Sequence, residues 1–448
     1  MTGAWARVVA FFAGPELPKD VRRTYRYHFG HVLFDAAAAG ILANGPLMAT
    51  KGLATEDWPL SLPIVLSSIG QFLVLYLGGV MATRRKMPFV VVPGIAFAVC
   101  SIAMTFVLHP VGFLALLGLG AMFEVSARPA VAAVVRANYP ATHRGRAVGE
   151  LRKWSSVIFL ATTLLSAHLL ARFADSPILV IRIQVAVAGV LSLTSYLLFR
   201  RIRVREQVET EPPTFAAEAH RSVRETARIV RVDARFRHYL YGGFAYAFGA
   251  LLYVAYIPAF LVKDLALGYV GAAMFTHIVP SVLAFLTTGA WGRWFDRTNP
   301  WRAWAWIRTG WGLDPLLLSV APLAAAVAPW AGVATVAAGR IARGSVMGGS
   351  WVLWWQIGVN HFAPPGGDTT RYLGILVFMN GLTRLVAPLA GAWLLTQGSR
   401  TTPMIVGGVL VLGSALHAAW NARRERREPG LATMAEFEAQ FESVPRAR

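Results

Sequence analysis

Between residues 27 and 421 the chain alternates between apolar runs of about 20 residues and short polar breaks rich in Gly, Pro and Arg. A helix of roughly 20 residues is as long as a bilayer's hydrocarbon core is thick. The pattern predicts 12 spans, at 27–50, 60–82, 88–109, 111–137, 147–172, 178–199, 238–262, 269–292, 303–323, 329–360, 372–397 and 401–421. One long polar segment, 200–237, carries Glu209, Glu211, Pro212 and Pro213 and divides the spans six and six. Within it Phe215, Ala219, Val223, Ala227 and Val230 recur at helical spacing and predict a surface helix. The expected organisation is a leading segment (1–26), a six-helix bundle (27–199), a linker (200–237), a second six-helix bundle (238–421) and a polar tail (422–448). The fold class is then an all-α polytopic membrane protein, with 12 transmembrane helices in two pseudo-symmetric bundles.

Composition agrees: 56% of residues are hydrophobic and 15% charged, which excludes an ordinary soluble domain. The single cysteine, Cys100, excludes an internal disulfide and a Cys-rich metal site. A net charge of +20 invites a nucleic-acid reading, but the distribution of the charge argues against it. Most Lys and Arg fall on one set of loops: before the first span, at Arg84 to Lys86, from Arg136 to Lys153, along the linker, from Arg293 to Arg308, and in the tail. Lys51, Arg172, Lys263 and Arg400 fall on the other set. By the positive-inside rule the basic face is cytoplasmic, so both termini are expected inside a cell (inner) membrane. Membrane lipid, not nucleic acid, is the expected partner of this charge. Trp291, Trp294, Trp301, Trp304 and Trp306 cluster near the basic end of the eighth and ninth spans and read as an interfacial belt.

The candidate chemistry lies inside the spans, where an ionisable group is costly and marks a solute or ion pathway by default. His28, His31 and Asp35 form one stripe of the first span. Asp35 there is either a proton-binding coupling site or a hydrated carboxylate anchoring a gate. Glu124 and Arg128 stand one turn apart in the fourth span, as a static ion pair or as one that opens during transport, with Glu124 an alternative to Asp35 as the proton-linked acid. Arg340 and Arg343 are neighbours in the tenth span, above the small residues Gly344 and Gly348 that permit close helix contact. Asn380, Thr383 and Arg384 share a face of the eleventh. The arginines either meet an anionic solute or pair with Asp35, Glu124 and Asp314; guanidinium is suited to carboxylate and phosphate. Tyr246 and Tyr253, with Tyr239, repeat every seven residues in the seventh span and suit a cavity wall or ordinary packing. Asp314-Pro315 reads as a kink with a local hydrogen bond. No phosphate loop of the Gly-x-x-x-x-Gly-Lys type and no Gly-x-Ser-x-Gly elbow occurs, so neither an enzyme nor a cofactor is expected.

The halves echo each other: Gly292 with Asp296 and Arg297, after the eighth span, matches Gly79 with Thr83 and Arg84 after the second. Arg146-x-x-Gly149 and Arg371-x-x-Gly374 open the fifth and eleventh spans. On these motifs, and on Asp233-Ala-Arg235-Phe236 ahead of the seventh span, the chain resembles the major facilitator superfamily over about residues 25 to 421. Thr83 stands where the family's first-half loop carries an acid. The resemblance implies secondary active transport of a small solute by alternating access, with protons as the expected coupling ion and a monomer as the expected state. It also implies a gating network of Gly292, Asp296, Arg297 and Arg146 at the cytoplasmic face. The excess of intramembrane Arg over acid favours an anionic or carboxylate-bearing solute. The alternatives are a multidrug-type efflux antiporter and a non-transporting scaffold or sensor.

Overall fold

The computed structural model describes residues 19–204, 228–295, 297–352 and 369–427, and within them the chain is helical almost throughout. The first six helices are α1 (Lys19–Ala43), α2 (Leu62–Thr83), α3 (Pro88–Ala103), α4 (Pro110–Asn138), α5 (Ala141–Arg172) and α6 (Pro177–Phe199). The second six are α7 (Ala234–Val254), α8 (Val279–Phe295), α9 (Pro300–Val327), α10 (Pro329–Val352), α11 (Thr369–Thr396) and α12 (Thr401–Arg427). Among the described residues nine helices are long and apolar enough to cross a membrane. Shorter apolar stretches, Trp58–Val74 and Pro88–Ala103, represent α2 and α3, and α10 carries Arg340 and Arg343. The sequence-predicted surface helix around Phe215, the Asn360 end of the tenth span, Asp296 and the tail beyond Arg427 lie outside the described residues.

Helix ends depart from the hydropathy pattern where polar residues continue a helix beyond hydrocarbon. Helix α1 begins at Lys19 rather than near 27, because Val21 packs with Tyr139 and Ala147 and extends the helix into the basic face. Helix α12 runs on to Arg427 through Ala, Arg and Glu, which are good helix formers. Asp233 caps α7, its carboxylate accepting from the Phe236 N–H at 2.8 Å and from the Tyr372 hydroxyl at 3.0 Å.

The two halves are built alike. In the first, α1 packs on α5 and α6, α2 on α4, and α3 on α4 and α6; in the second, each pairing recurs six helices later. The contacts between the halves share the symmetry: α2 meets α11, and the lead-in to α8 (Tyr269–Ala273) meets α5. Gly344 and Gly348 seat α10 on α8, since a β-carbon at Gly348 would lie 2.5 Å from the Ala284 carbonyl oxygen. Helices α1 and α7 also end alike. Each breaks before a proline (Pro46, Pro258), continues as a wide turn (Met48–Gly52, Phe260–Asp264), and closes on a left-handed alanine, Ala54 at φ 50° and Ala266 at φ 52°.

Candidate functional site in the cleft between the bundles

On the first-half wall, Arg128 Nη2 donates to Glu124 Oε1 at 2.9 Å along α4. Their side chains keep 60% and 36% exposure at mid-helix, so the pair faces open space. That space is the cleft between the halves, because Arg384 of α11 lies within electrostatic reach of both Arg128 and Glu124. Arg384 crosses the cleft itself: its Nη2 donates to Ser67 Oγ on α2 at 3.0 Å. Asp35 of α1 is in electrostatic reach of Glu124 and Arg128. Asp35, Glu124, Arg128 and Arg384 therefore surround one cleft. The two histidines on the Asp35 stripe are buried. Ser195 Oγ donates to the His31 carbonyl at 3.0 Å and sits 2.6 Å from His31 Nδ1, so that nitrogen carries the ring proton. His28 Nδ1 lies 3.1 Å from the Tyr139 hydroxyl.

The second-half wall holds a buried charge cluster. Asp314 is fully buried and forms an ion pair with the fully buried Arg340. Arg343 Nη1 lies 3.7 Å from the other carboxylate oxygen, and the Tyr253 hydroxyl donates to it at 3.3 Å. The expectation of a local bond at the Asp314-Pro315 kink is thus corrected: the partners come from α10 and α7, because α9 packs along α10 and turns Asp314 toward it. Arg343, 13% exposed, lays its guanidinium 4.3 Å from the Trp311 ring centroid, and Tyr246 meets Trp311 edge-on. Tyr253 is fully buried, and Tyr246 keeps only a trace of exposure. Asn380 and Thr383 line a shallow recess with Leu240, Gly243 and Phe244 between α7 and α11. Among the described residues no cluster of His, Cys, Asp and Glu is placed to hold a metal ion.

Arg146 and Arg297 are exposed, and a side chain at Gly292 would meet nothing within 4 Å. Among the described residues none of the three joins the halves, and Asp296 lies outside them. The polar seam is found at the opposite, sparsely charged face. Lys263 Nζ donates to the Thr55 carbonyl at 2.8 Å and pairs with Asp57 at 2.7 Å. Lys51 Nζ reaches the Leu267 carbonyl at 3.5 Å. Arg400 joins Asp57 at 2.7 Å to Asp264 at 3.1 Å. Lys51 and Lys263 are symmetry mates, each clasping the other half just beyond its left-handed alanine. The sequence carried a signal for this clasp that the span pattern passes over: Lys51, Leu53 and Ala54 recur at a constant offset as Lys263, Leu265 and Ala266.

Two other expectations change. Trp301 and Trp304 are core residues with 1% and 0% exposure, not belt residues, since α9 enters between α7 and α12; Trp301 Nε1 donates to Glu425 at 2.8 Å. Arg308, grouped by sequence with the loop cations of the basic face, is fully buried inside α9.

A model of the Major Facilitator Superfamily matches residues 28–362 of this chain. The chain belongs to that superfamily. The solved structures agree on the fold. A nucleoside transporter, NupG, superposes with TM-score 0.62 at 11% identity, covering 90% of this chain and 99% of its own. A D-xylose-proton symporter gives 0.61 at 16% identity, covering 89% and 97%. A POT family transporter in complex with 5-aminolevulinic acid gives 0.61 at 12% identity, covering 90% and 96%. No curated protein matches the sequence. Membership makes this a multi-pass membrane protein of the transporter class.

Proposed function

We propose that this superfamily member is a proton-coupled secondary transporter of a small solute, with a preference for an anionic or carboxylate-bearing one. The observation that carries the reading is Arg384. It is a second-half guanidinium that crosses the cleft to Ser67, beside the Glu124–Arg128 pair and Asp35. A guanidinium offers a carboxylate two parallel donors, and a solute that took Arg384 from Ser67 would couple binding to the contact between halves. Arg343 and Asn380 are the further solute contacts, and Arg340 holds Asp314 and thereby Arg343; Tyr246 and Tyr253 back that wall. Asp35 is the proton acceptor, and the neighbouring Glu124–Arg128 pair sets its field. With the basic face cytoplasmic, the clasped face is outside and the cleft opens inward. The chain works as a monomer in the cell membrane, each bundle rocking against the other.

Flux in proteoliposomes tests this. Purified protein is assayed for counterflow of organic anions, sugars, amino acids and cationic drugs, with and without an imposed pH gradient. Anion counterflow that disappears in Arg384→Ala and partly persists in Arg384→Lys is the expected outcome. Asp35→Asn is expected to keep counterflow and lose accumulation driven by the pH gradient. Flux of cationic compounds alone, unaffected by Arg384→Ala, sinks the anion preference.

A further inference from the structure

Two arginines lie fully buried within the second bundle, and their surroundings differ. Arg340 has Asp314. Among the described residues Arg308 has no acid as an electrostatic neighbour; its neighbours are the phenols of Tyr239 and Tyr246. Its Nη1 donates to the Ser414 carbonyl at 3.0 Å, while Nε and Nη2 are buried without a hydrogen-bond partner. The Trp304 ring, 5.2 Å away, softens the charge without cancelling it. The carboxylate at this corner, Glu425, is already engaged: Arg235 and Trp301 donate to one oxygen at 3.0 and 2.8 Å, and Asn299 to the other at 3.0 Å. An uncompensated guanidinium in a low-dielectric interior is costly. A counter-charge from outside the chain removes that cost.

Gly242 is where Arg308 meets the groups outward of it. A β-carbon there would lie 2.6 Å from Arg308 Nη1 and 2.9 Å from His417 Nδ1, so glycine lets both nitrogens close on the same face of α7. His417 Nδ1 is also buried and unpartnered. The Asn421 amide nitrogen sits 3.2 Å from His417 Nε2 and 2.9 Å from the His417 carbonyl. An amide donor shared by those two acceptors leaves the ring proton on Nδ1. Arg308 Nη1, which donates to the Ser414 carbonyl, and His417 Nδ1 therefore converge, and His417 Nδ1 has no acceptor among the described residues. Outward of His417, His238 Nδ1 lies 3.4 Å from its Nε2, with Arg237 and Arg424 in electrostatic reach of His238. Exposed Tyr241 and Trp420 flank this mouth. It lies at the basic ends of α7 and α12, which the Arg235–Glu425 pair ties together.

We propose that this α7–α12 corner binds a phosphate-type oxyanion, held by His417 and His238 and neutralising Arg308 behind them. The oxyanion has two possible sources with the same chemistry. One is the phosphodiester of an anionic membrane lipid, which suits cations and interfacial aromatics at headgroup depth. The other is free inorganic phosphate.

The test is thermal unfolding and native mass spectrometry of the purified full-length protein in detergent. It is titrated with phosphatidylglycerol, with phosphatidylcholine as the zwitterionic control, and with inorganic phosphate at matched ionic strength. Phosphatidylglycerol or phosphate is expected to raise the unfolding temperature and to leave a bound adduct; phosphatidylcholine is not. The double variant His238→Ala/His417→Ala is expected to weaken that binding by about tenfold or more, the worth of one charge-assisted hydrogen bond. Arg308→Met, whose neutral side chain needs no counter-ion, is expected to lose the response while unfolding at or above the unliganded wild-type temperature. If Arg308→Met does not fold, the histidine pair carries the test alone. A response to phosphate without lipid identifies the free anion, and a response to lipid alone identifies the headgroup. Equal responses to phosphatidylglycerol and phosphatidylcholine, no response to either anion, or undiminished binding in the histidine variant would overturn the proposal.

Discussion

Asp314 and Arg340 are both without exposure, and the charge of each offsets that of the other. Removing one member of such a pair strands the other, at a typical loss of about 3–5 kcal/mol. Asp314→Asn is therefore expected to lower the unfolding temperature sharply, while Asp314→Leu/Arg340→Met, which removes both charges, recovers most of the loss. A double variant as unstable as the single one would mean that shape, not charge, sets the stability here. Arg343 belongs to the same cluster but differs in kind. Its partial exposure and its place over Trp311 leave it a solute contact under the proposed function. In sequence the intramembrane arginines outnumber the acids and read as one pool. Pairing divides that pool: Arg128 belongs to Glu124 and Arg340 to Asp314, while Arg384 takes a neutral serine as its partner.

At the scale of the element, glycine spacing sets which helices may touch. Gly344 and Gly348 bring α10 onto α8 at backbone distance, as the small-residue spacing in the sequence predicts. Gly348→Leu is expected to push the helices apart and to cost about 1–3 kcal/mol, the usual range for overpacking. A thermal melt checks the cost. An unchanged melting temperature would show that α10 is free to shift on α8. Helix α9 is the element least legible from its own residues. It carries Arg308, Asp314, Trp301 and Trp304, which read in sequence as loop cation, kink and belt; all four are buried. Their setting depends on α9 running between α10 and α12, a neighbourhood that no feature internal to α9 encodes.

Across the whole molecule, the two bundles are joined at the sparsely charged face by a reciprocal clasp. Lys51 reaches the second half and Lys263 the first, with Asp57, Arg400 and Asp264 completing the network. Each contact is partly exposed and worth about 1 kcal/mol or less on its own. Losing both lysines is expected to shift the balance between clasped and open states by up to about thirtyfold. Ser61 lies at this seam with 1% exposure. In a Cys100→Ala background, Ser61→Cys is expected to react faster with a membrane-impermeant maleimide once Lys51→Met and Lys263→Met are added. An unchanged labelling rate would show that the clasp does not hold the seam. Of the gating network expected from Gly292, Asp296, Arg297 and Arg146, Arg146 and Arg297 are exposed, and Asp296 lies outside the described residues.

By itself the sequence determined the fold class, the order of the helices and the basic face, and it placed Asp35, Glu124, Arg340 and Arg384 within helices. These are properties of a segment measured against the thickness and polarity of a bilayer, so a single segment is enough to read them. Tertiary structure alone decided which charges pair, that Arg308 has no acid beside it among the described residues, that Asp35, Glu124, Arg128 and Arg384 share one cleft, and which face is closed. Ion pairs and hydrogen bonds act over a few ångströms. Whether two residues on different helices come that close depends on each helix's rotation, depth and neighbours. Those are set by the packing of all twelve helices together.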